Sequence, residues 1–310
     1  VATATLSTSH GGSQGTASRP ARRRLSERAQ AAMLLAPTVA VVLIFIYGFL
    51  IWTVFLSFMG WNDVTFELPF KGFNNYLRLL DNDRFWIDAK NQLWFSSFFI
   101  GQCLGLGFLL AVLLDRPIWG ESFFKTAYIF PFAVSSIVTG VVWRWLMYPD
   151  TGINLLFDMA GVGFLKNKWY AEPSIGIIAV SIPAAWQMTG YTMALFLATL
   201  RGISGDLREA AAMDGAKGWQ YYRYVAFPAC IPTAYSATVI LGMLSLRTFD
   251  LPSAMTGGAG AAYRTDMFTL FMFETTFQQY RYSIGAALAT LMIVLALILL
   301  VPYLRDADQN

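Results

Sequence analysis

The chain has 310 residues, 56% of them hydrophobic, 16% aromatic and only 13% charged, with a mean hydropathy of +0.50. That balance excludes an ordinary soluble domain and assigns the chain to the membrane proteins. The excess of 22 Lys and Arg over 19 Asp and Glu is slight and is dispersed between apolar runs, which excludes nucleic-acid binding.

Residues 1–28 combine Ser, Thr, Gly and Ala with Arg22, Arg23, Arg24 and Arg28. Such a composition buries too little apolar surface to order itself, so a disordered basic cytoplasmic tail is expected. The apolar run from about Ala31 to Phe58 is longer than a secretory h-region, has no small-residue cleavage site before the next loop, and is long enough to span as a helix. Five further runs follow at about Asn91–Leu114, Thr126–Leu146, Ser174–Leu200, Pro228–Leu246 and Ser283–Tyr303. Each approaches or exceeds the roughly 20 residues that cross the hydrocarbon. The expected fold is all-α and polytopic, with six transmembrane helices over residues 29–304 and a short cytoplasmic tail at 305–310.

Six spans put both termini on one side, and the basic residues choose it. With the termini inside, the cytoplasmic set is Arg19, Arg22, Arg23, Arg24, Arg28, Arg116, Lys125, Arg201, Arg208, Lys217, Arg223 and Arg305, against Lys71, Arg78, Arg84, Lys90, Lys166, Lys168, Arg264 and Arg281 outside. The bias predicts a multi-pass protein of the cell membrane with cytoplasmic termini and a cytoplasmic 201–227 loop.

Chemistry-bearing clusters are sparse. His10 is the only histidine and lies in the tail, which leaves nothing on which to build a metal site, proton relay or Ser-His pair. Cys103 and Cys230 sit in or beside apolar runs and read as small hydrophobes. No Gly-x-x-x-x-Gly-Lys-Ser/Thr phosphate loop occurs, so any ATP and Mg that power the protein belong to other chains. The chain is therefore not expected to be an enzyme or to hold a cofactor.

Polar groups at membrane depth are costly and informative. Arg144, between Trp143 and Trp145, reads as snorkelling to an interface. Trp186-Gln-Met-Thr-Gly-Tyr191 interrupts the fourth apolar run with the mixture that sugar recognition needs, polar partners for hydroxyls beside rings for the C–H faces. Gly190 there also suits close helix packing. Arg247 and Asp250, three apart near the outer end of the fifth run, suit an ion pair as well as a ligand contact.

Between the fourth and fifth runs lies Glu209-Ala-Ala-Ala-Met-Asp-Gly-Ala-Lys-Gly-Trp-Gln-Tyr-Tyr-Arg-Tyr-Val-Ala-Phe-Pro228. Ser204 can N-cap a short helix, Gly215 can supply a left-handed turn at its end, and Pro228 can open the next helix. The pattern resembles the EAA motif of permease subunits of binding-protein-dependent ABC importers. Phe70-Lys-Gly-Phe-Asn-Asn-Tyr76, Tyr148-Pro-Asp-Thr-Gly-Ile-Asn154 and Thr256-Gly-Gly-Ala-Gly260 resemble the external segments of the family's carbohydrate permeases, of maltose and glycerol-phosphate type, in the same order. A Pro is usual where Gly260 stands.

The resemblance implies that Glu209, Ala210, Ala211, Asp214, Gly215, Ala216 and Pro228 form a cytoplasmic coupling helix that docks on an ATPase subunit. It places Gln187, Met188, Tyr191, Leu244, Ser245 and Thr248 at positions matching sugar contacts of the family's maltose permease, although the residue types mostly differ. With Trp186, Arg247 and Asp250 these make up the expected substrate path. The implied partners are a second permease, ATP-binding subunits, an external solute-binding protein, the sugar and membrane lipid. Another solute such as glycerol phosphate is the alternative within the class. An ion-coupled secondary carrier is the alternative outside it, and would call for a membrane carboxylate near the midplane.

Overall fold

The computed structural model describes residues 27–172, 174–258, 260 and 263–307. His10 and most of the basic tail lie outside these residues, as do Ala259 and the end of the 305–310 segment. The described chain is helical, with one isolated bridge between Met59 and Phe70. It divides into two compact units, residues up to Leu50 and residues from Ile51 onward. In the first, the described residues are helix throughout and expose large apolar side chains such as Leu34, Ile44 and Phe45.

The elements run in order α1 (Ala32–Ser57), α2 (Asn74–Leu80), α3 (Asp83–Asp115), α4 (Glu121–Ala133), α5 (Ser136–Leu146), α6 (Ile153–Met159), α7 (Gly176–Gly202), α8 (Gly205–Met213), α9 (Gly218–Ala229), α10 (Ile231–Leu246), α11 (Asp250–Thr256), α12 (Phe268–Phe273) and α13 (Tyr282–Ala307). Among the described residues α1, α3 and α13 are long and apolar enough to cross a membrane, and two bent pairs raise the number to five. The pairs are α4 with α5, bent by 100°, and α9 with α10, bent by 59°. α7 has 27 residues, about 40 Å at 1.5 Å per residue, and carries the polar Gln187, Thr189 and Thr192.

Several boundaries differ from those read in the sequence. α3 begins at Asp83, well before Asn91, because the Asn82 side chain accepts from the Arg84 amide as an N-cap. The third apolar run is not one straight helix: its chain breaks at Val134 and Ser135. Pro228 does not open the long helix: it is next to last in α9, which ends at Ala229. The long helix opens at Ile231 with Pro232 in its first turn, because Pro lacks the N–H that a continuing helix would need.

The centre is α3 packed along α7. Phe95, Phe99 and Cys103 of α3 meet Ile177, Val180, Ala184 and Ala185 of α7 in one core. Small residues set the separations. A Cβ on Gly107 would lie 2.5 Å from Thr192 Oγ1, and one on Gly190 would lie 1.9 Å from the Tyr128 carbonyl oxygen. α7 thus touches α3 on one side and α4 on the other at backbone contact distance. On α5, a Cβ at Gly140 would come within 2.6 Å of the Leu251 carbonyl, which brings α11 against α5.

The loop motifs hold chain to chain. Asn75, 1% exposed, donates to the carbonyls of Ser57 and Met59, and the Tyr76 hydroxyl pairs with Ser57 Oγ at 2.6 Å. Asn154 donates to the carbonyls of Pro149 and Asn167 while its Oδ1 accepts from the Asn167 amide and Trp169 Nε1. Buried amides so fully partnered stabilise the loops that contain them.

Candidate functional site

α7, α10 and α11 surround a cavity of about 240 Å³ lined by Gln187 and Met188, by Leu244, Arg247, Thr248 and Asp250, and by Phe99, Ser136, Ala184, Phe249 and Leu251. Six of the sequence-predicted path residues meet there. Three do not. Trp186 is turned out of the lining against Trp143, with ring centroids 6.0 Å apart. The Tyr191 ring stacks on Phe132, 5.8 Å away at 19°. Ser245 is 1% exposed, and its hydroxyl serves the Gly242 carbonyl and Ser96 Oγ. Tyr191 and Ser245 thus pack against neighbouring helices, while Trp186 stays 41% exposed.

Arg247 and Asp250 form no ion pair with each other among the described residues, although both line the cavity. α10 ends at Leu246 and α11 begins at Asp250, so the intervening turn removes the i, i+3 helical register that pairing would use. Thr248 returns its hydroxyl to the Leu244 carbonyl, and its own carbonyl accepts from Thr269 Oγ1 at 2.7 Å.

Gln187 has a second role that sequence reasoning missed. Its Nε2 donates to the Val134 carbonyl at 2.5 Å while its Oε1 accepts from Ser136 Oγ at 3.4 Å. One side chain of α7 therefore holds both flanks of the 100° break between α4 and α5. Freed carbonyls at a broken helix need such a donor where water is absent.

The 204–229 segment forms a separate surface. Ser204 stands at the N-cap of α8 but makes no side-chain capping bond. Gly215 has φ +78°, the left-handed conformation that favours glycine. Glu209, Ala210, Asp214 and Pro228 are exposed, Ala216 is half-buried, and Ala211 is buried, so the face carrying Glu209 and Ala210 is open. Met213 and Trp219 of the same segment are 88% and 75% exposed.

The opposite face is fastened. Arg208 Nη2 donates to Asp115 Oδ2 at 2.7 Å, and the Tyr222 hydroxyl donates to the same oxygen at 2.7 Å. The Arg208 guanidinium also lies 5.0 Å from the centre of the Tyr221 ring. Arg201 adds bonds to the Leu114 carbonyl and to Glu121.

At the other end of α3 a third cluster forms. Arg84, 6% exposed, donates from Nε to Asp266 Oδ2 at 2.6 Å and from Nη2 to Glu274 Oε2 at 2.7 Å. Tyr263 and Phe271 each place a ring centre 4.5 Å from its guanidinium. Burial pushes the Asp266 carboxyl above its ordinary range, against the pull of Arg84 and the Met267 amide. Arg84 had entered the sequence reading only as an external charge. None of the motifs read in the sequence includes it.

Among the described residues no group of three or more His, Cys, Asp or Glu is placed to hold a metal ion.

A sequence profile described as binding-protein-dependent transport system inner membrane component matches residues 104–307. The chain belongs to this family. A probable ABC transporter permease protein of Pyrococcus horikoshii is 36% identical over 91% of the chain and 97% of the relative. A xylose/arabinose import permease of Haloferax volcanii is 34% identical over 74% of the chain and 72% of the relative. In fold, the chain is similar to a subunit in the crystal structure of a bacterial ABC transporter involved in import of the acidic polysaccharide alginate. The TM-score is 0.77 at 22% identity, covering 91% of this chain and 96% of that one. As a member of an inner membrane component family of ABC permeases, the chain is a transport component of a membrane, not an enzyme.

Proposed function

We propose that the chain is the permease subunit of an ATP-driven importer that carries a sugar, mono- or oligosaccharide, handed over by a solute-binding protein outside the cell. The observation that carries the sugar reading is the α7–α10–α11 cavity. Its Gln187, Thr248, Arg247 and Asp250 offer hydroxyls donors and acceptors, while Phe99 and Phe249 offer flat apolar faces. The carbohydrate substrates named for the Haloferax relative and the alginate transporter point the same way. A phosphate ester would meet a single cation there, Arg247, with the Asp250 carboxylate on the same cavity wall.

In this reading the six spans are α1, α3, the α4–α5 pair, α7, the α9–α10 pair and α13. Both termini and the 201–227 loop face the cytoplasm, following the basic-residue bias. A second permease completes the path, and ATP and Mg stay on the ATP-binding subunits. The exposed Glu209–Ala210 face of α8 is the docking surface for one of those subunits. Closure of the ATPases would move α8, and the Asp115 bonds would pass that movement to α3. Because α3 packs along α7, the displacement reaches the cavity wall, as alternating access requires. Uptake by the assembled importer in proteoliposomes tests the proposal: sugar accumulation must need ATP and the binding protein, and Gln187→Ala must lower it with the complex intact.

A further inference from the structure

A second cavity, of about 620 Å³, lies near the start of α3, where Ile87 and Asn91 are among its lining residues. On α3 its lining includes Lys90, Trp94 and Phe98, each four residues after the last, so the three follow one another along one helix face at about 6 Å per step. Ile177 and Ile178 of α7 extend the apolar wall, and Ser174 and Arg264 add polar groups. Asn91 anchors the segment that carries Arg264: its Nδ2 donates to the carbonyls of Tyr263 and Asp266, each at 3.0 Å.

The charge at this cavity is unbalanced. Lys90 and Arg264 are exposed and take part in none of the ion pairs among the described residues. No Asp or Glu lines the cavity. Two cations therefore share one concave surface with no protein anion to answer them.

We propose that this cavity holds one anionic phospholipid, with its phosphate between Lys90 and Arg264 and an acyl chain along Trp94, Phe98, Ile177 and Ile178. The inference rests on the reading of α3 as a membrane span. From Lys90 onward the lining runs cation, indole, then phenyl and branched aliphatic groups, the order of the bilayer from headgroup to interface to hydrocarbon. A free phosphate ion would use the cations and leave the wall of Trp94 and Phe98 without purpose. Trp94 is 47% exposed and Phe98 36%, so the wall is open to a chain lying against it.

The site is distinct from the sugar cavity, which shares none of these lining residues. Its occupant would fasten the outer ends of α3 and α7 and the Arg264 segment to one another.

The test uses the assembled importer, purified in mild detergent and offered phosphatidylglycerol or phosphatidylcholine with the same acyl chains. Native mass spectrometry should show one phosphatidylglycerol retained in preference to phosphatidylcholine. The double variant Lys90→Gln/Arg264→Gln should lower that preference roughly tenfold or more, the summed attraction of two basic side chains. Neither substitution removes an ion pair, and a photo-reactive amino acid at position 94 in the otherwise wild-type chain should cross-link to lipid. Equal retention of the two lipids, or an unchanged preference in the double variant, would overturn the proposal. So would displacement of the lipid by equimolar inorganic phosphate, or cross-linking from position 94 to another protein chain.

Discussion

Arg208 Nη2 lies 2.7 Å from Asp115 Oδ2, and Tyr222 donates to that same oxygen. Arg208 belongs to α8, before the Gly215 turn, and Tyr222 to α9, after it. One carboxylate at the end of α3 therefore grips both arms of the 204–229 segment. Asp115 is 8% exposed, and a carboxylate at a helix C-terminus faces the negative end of the helix dipole. Its two donors offset that cost.

Asp115→Asn should lower sugar uptake and uncouple it from ATP hydrolysis while the protein still reaches the membrane. An amide keeps the size but weakens both charge-assisted bonds. Since the Arg208 side chain is 51% exposed, solvent screens the pair and the loss of stability should be modest. The ratio of sugar transported to ATP hydrolysed in proteoliposomes is the measurement. A wild-type ratio would rule out Asp115 as a link between the docking segment and the spans.

Gly215→Val should impair coupling for a conformational reason. A Cβ at Gly215 would meet nothing within 4 Å, so the cost is that of holding a β-branched residue at φ +78°, about 1–2 kcal/mol. Co-purification of the ATPase subunit, measured beside uptake at matched expression, checks this. Purified alone, the chain should hydrolyse no ATP.

Gly190→Ala should be the more damaging of two glycine substitutions made in the spans. Its Cβ would fall 1.9 Å from the Tyr128 carbonyl oxygen, whereas one at Gly101 would meet nothing within 4 Å. Overpacking of that kind costs about 1–3 kcal/mol or more. Thermal unfolding in detergent should show a lower Tm for Gly190→Ala and little change for Gly101→Ala.

Gln187→Ala and Thr248→Ala should reduce uptake differently. Thr248 lines the cavity, and its hydroxyl bonds only the Leu244 carbonyl four residues back, so its loss should act mainly on apparent affinity. Gln187 both lines the cavity and holds Val134 and Ser136, so its loss should lower the maximal rate and the thermal stability as well. Kinetics of uptake with thermal melts of both variants separate the two cases. Equal behaviour would show that the bonds across the α4–α5 break carry no function.

Cysteine labelling tests the topology. Cys103 and Cys230 are buried, 0% and 2% exposed, so the native background should be silent to a membrane-impermeant maleimide. Lys71→Cys should be labelled from outside and Lys217→Cys only after permeabilisation. Reaction of both from one side would defeat the six-span reading. Ser13 and Ala261, which lie outside the described residues, give two further labelling positions, expected inside and outside respectively.

The apolar runs, the left-handed turn at Gly215 and the short helix before it were legible in the sequence because each depends on neighbouring residues alone: an apolar stretch of fixed length, or a missing Cβ at a positive φ. The membrane class followed from composition for the same reason. The bends at Val134–Ser135 and at Cys230 were not legible, since an apolar run reads the same whether straight or broken. Nor were the partners that hold them.

Asp115 and Arg208 are 93 residues apart, and Arg84 and Asp266 are 182 apart. Nothing local marks such pairs, because a charge at a span boundary looks alike whether it meets water or a partner. The same limit divided the expected substrate path. Polarity in Trp186–Tyr191 was visible, but which of those side chains faces a cavity depends on how α7 is rotated against α3, α4 and α10. That rotation is decided by close contacts at Gly107 and Gly190, which only the packed structure contains.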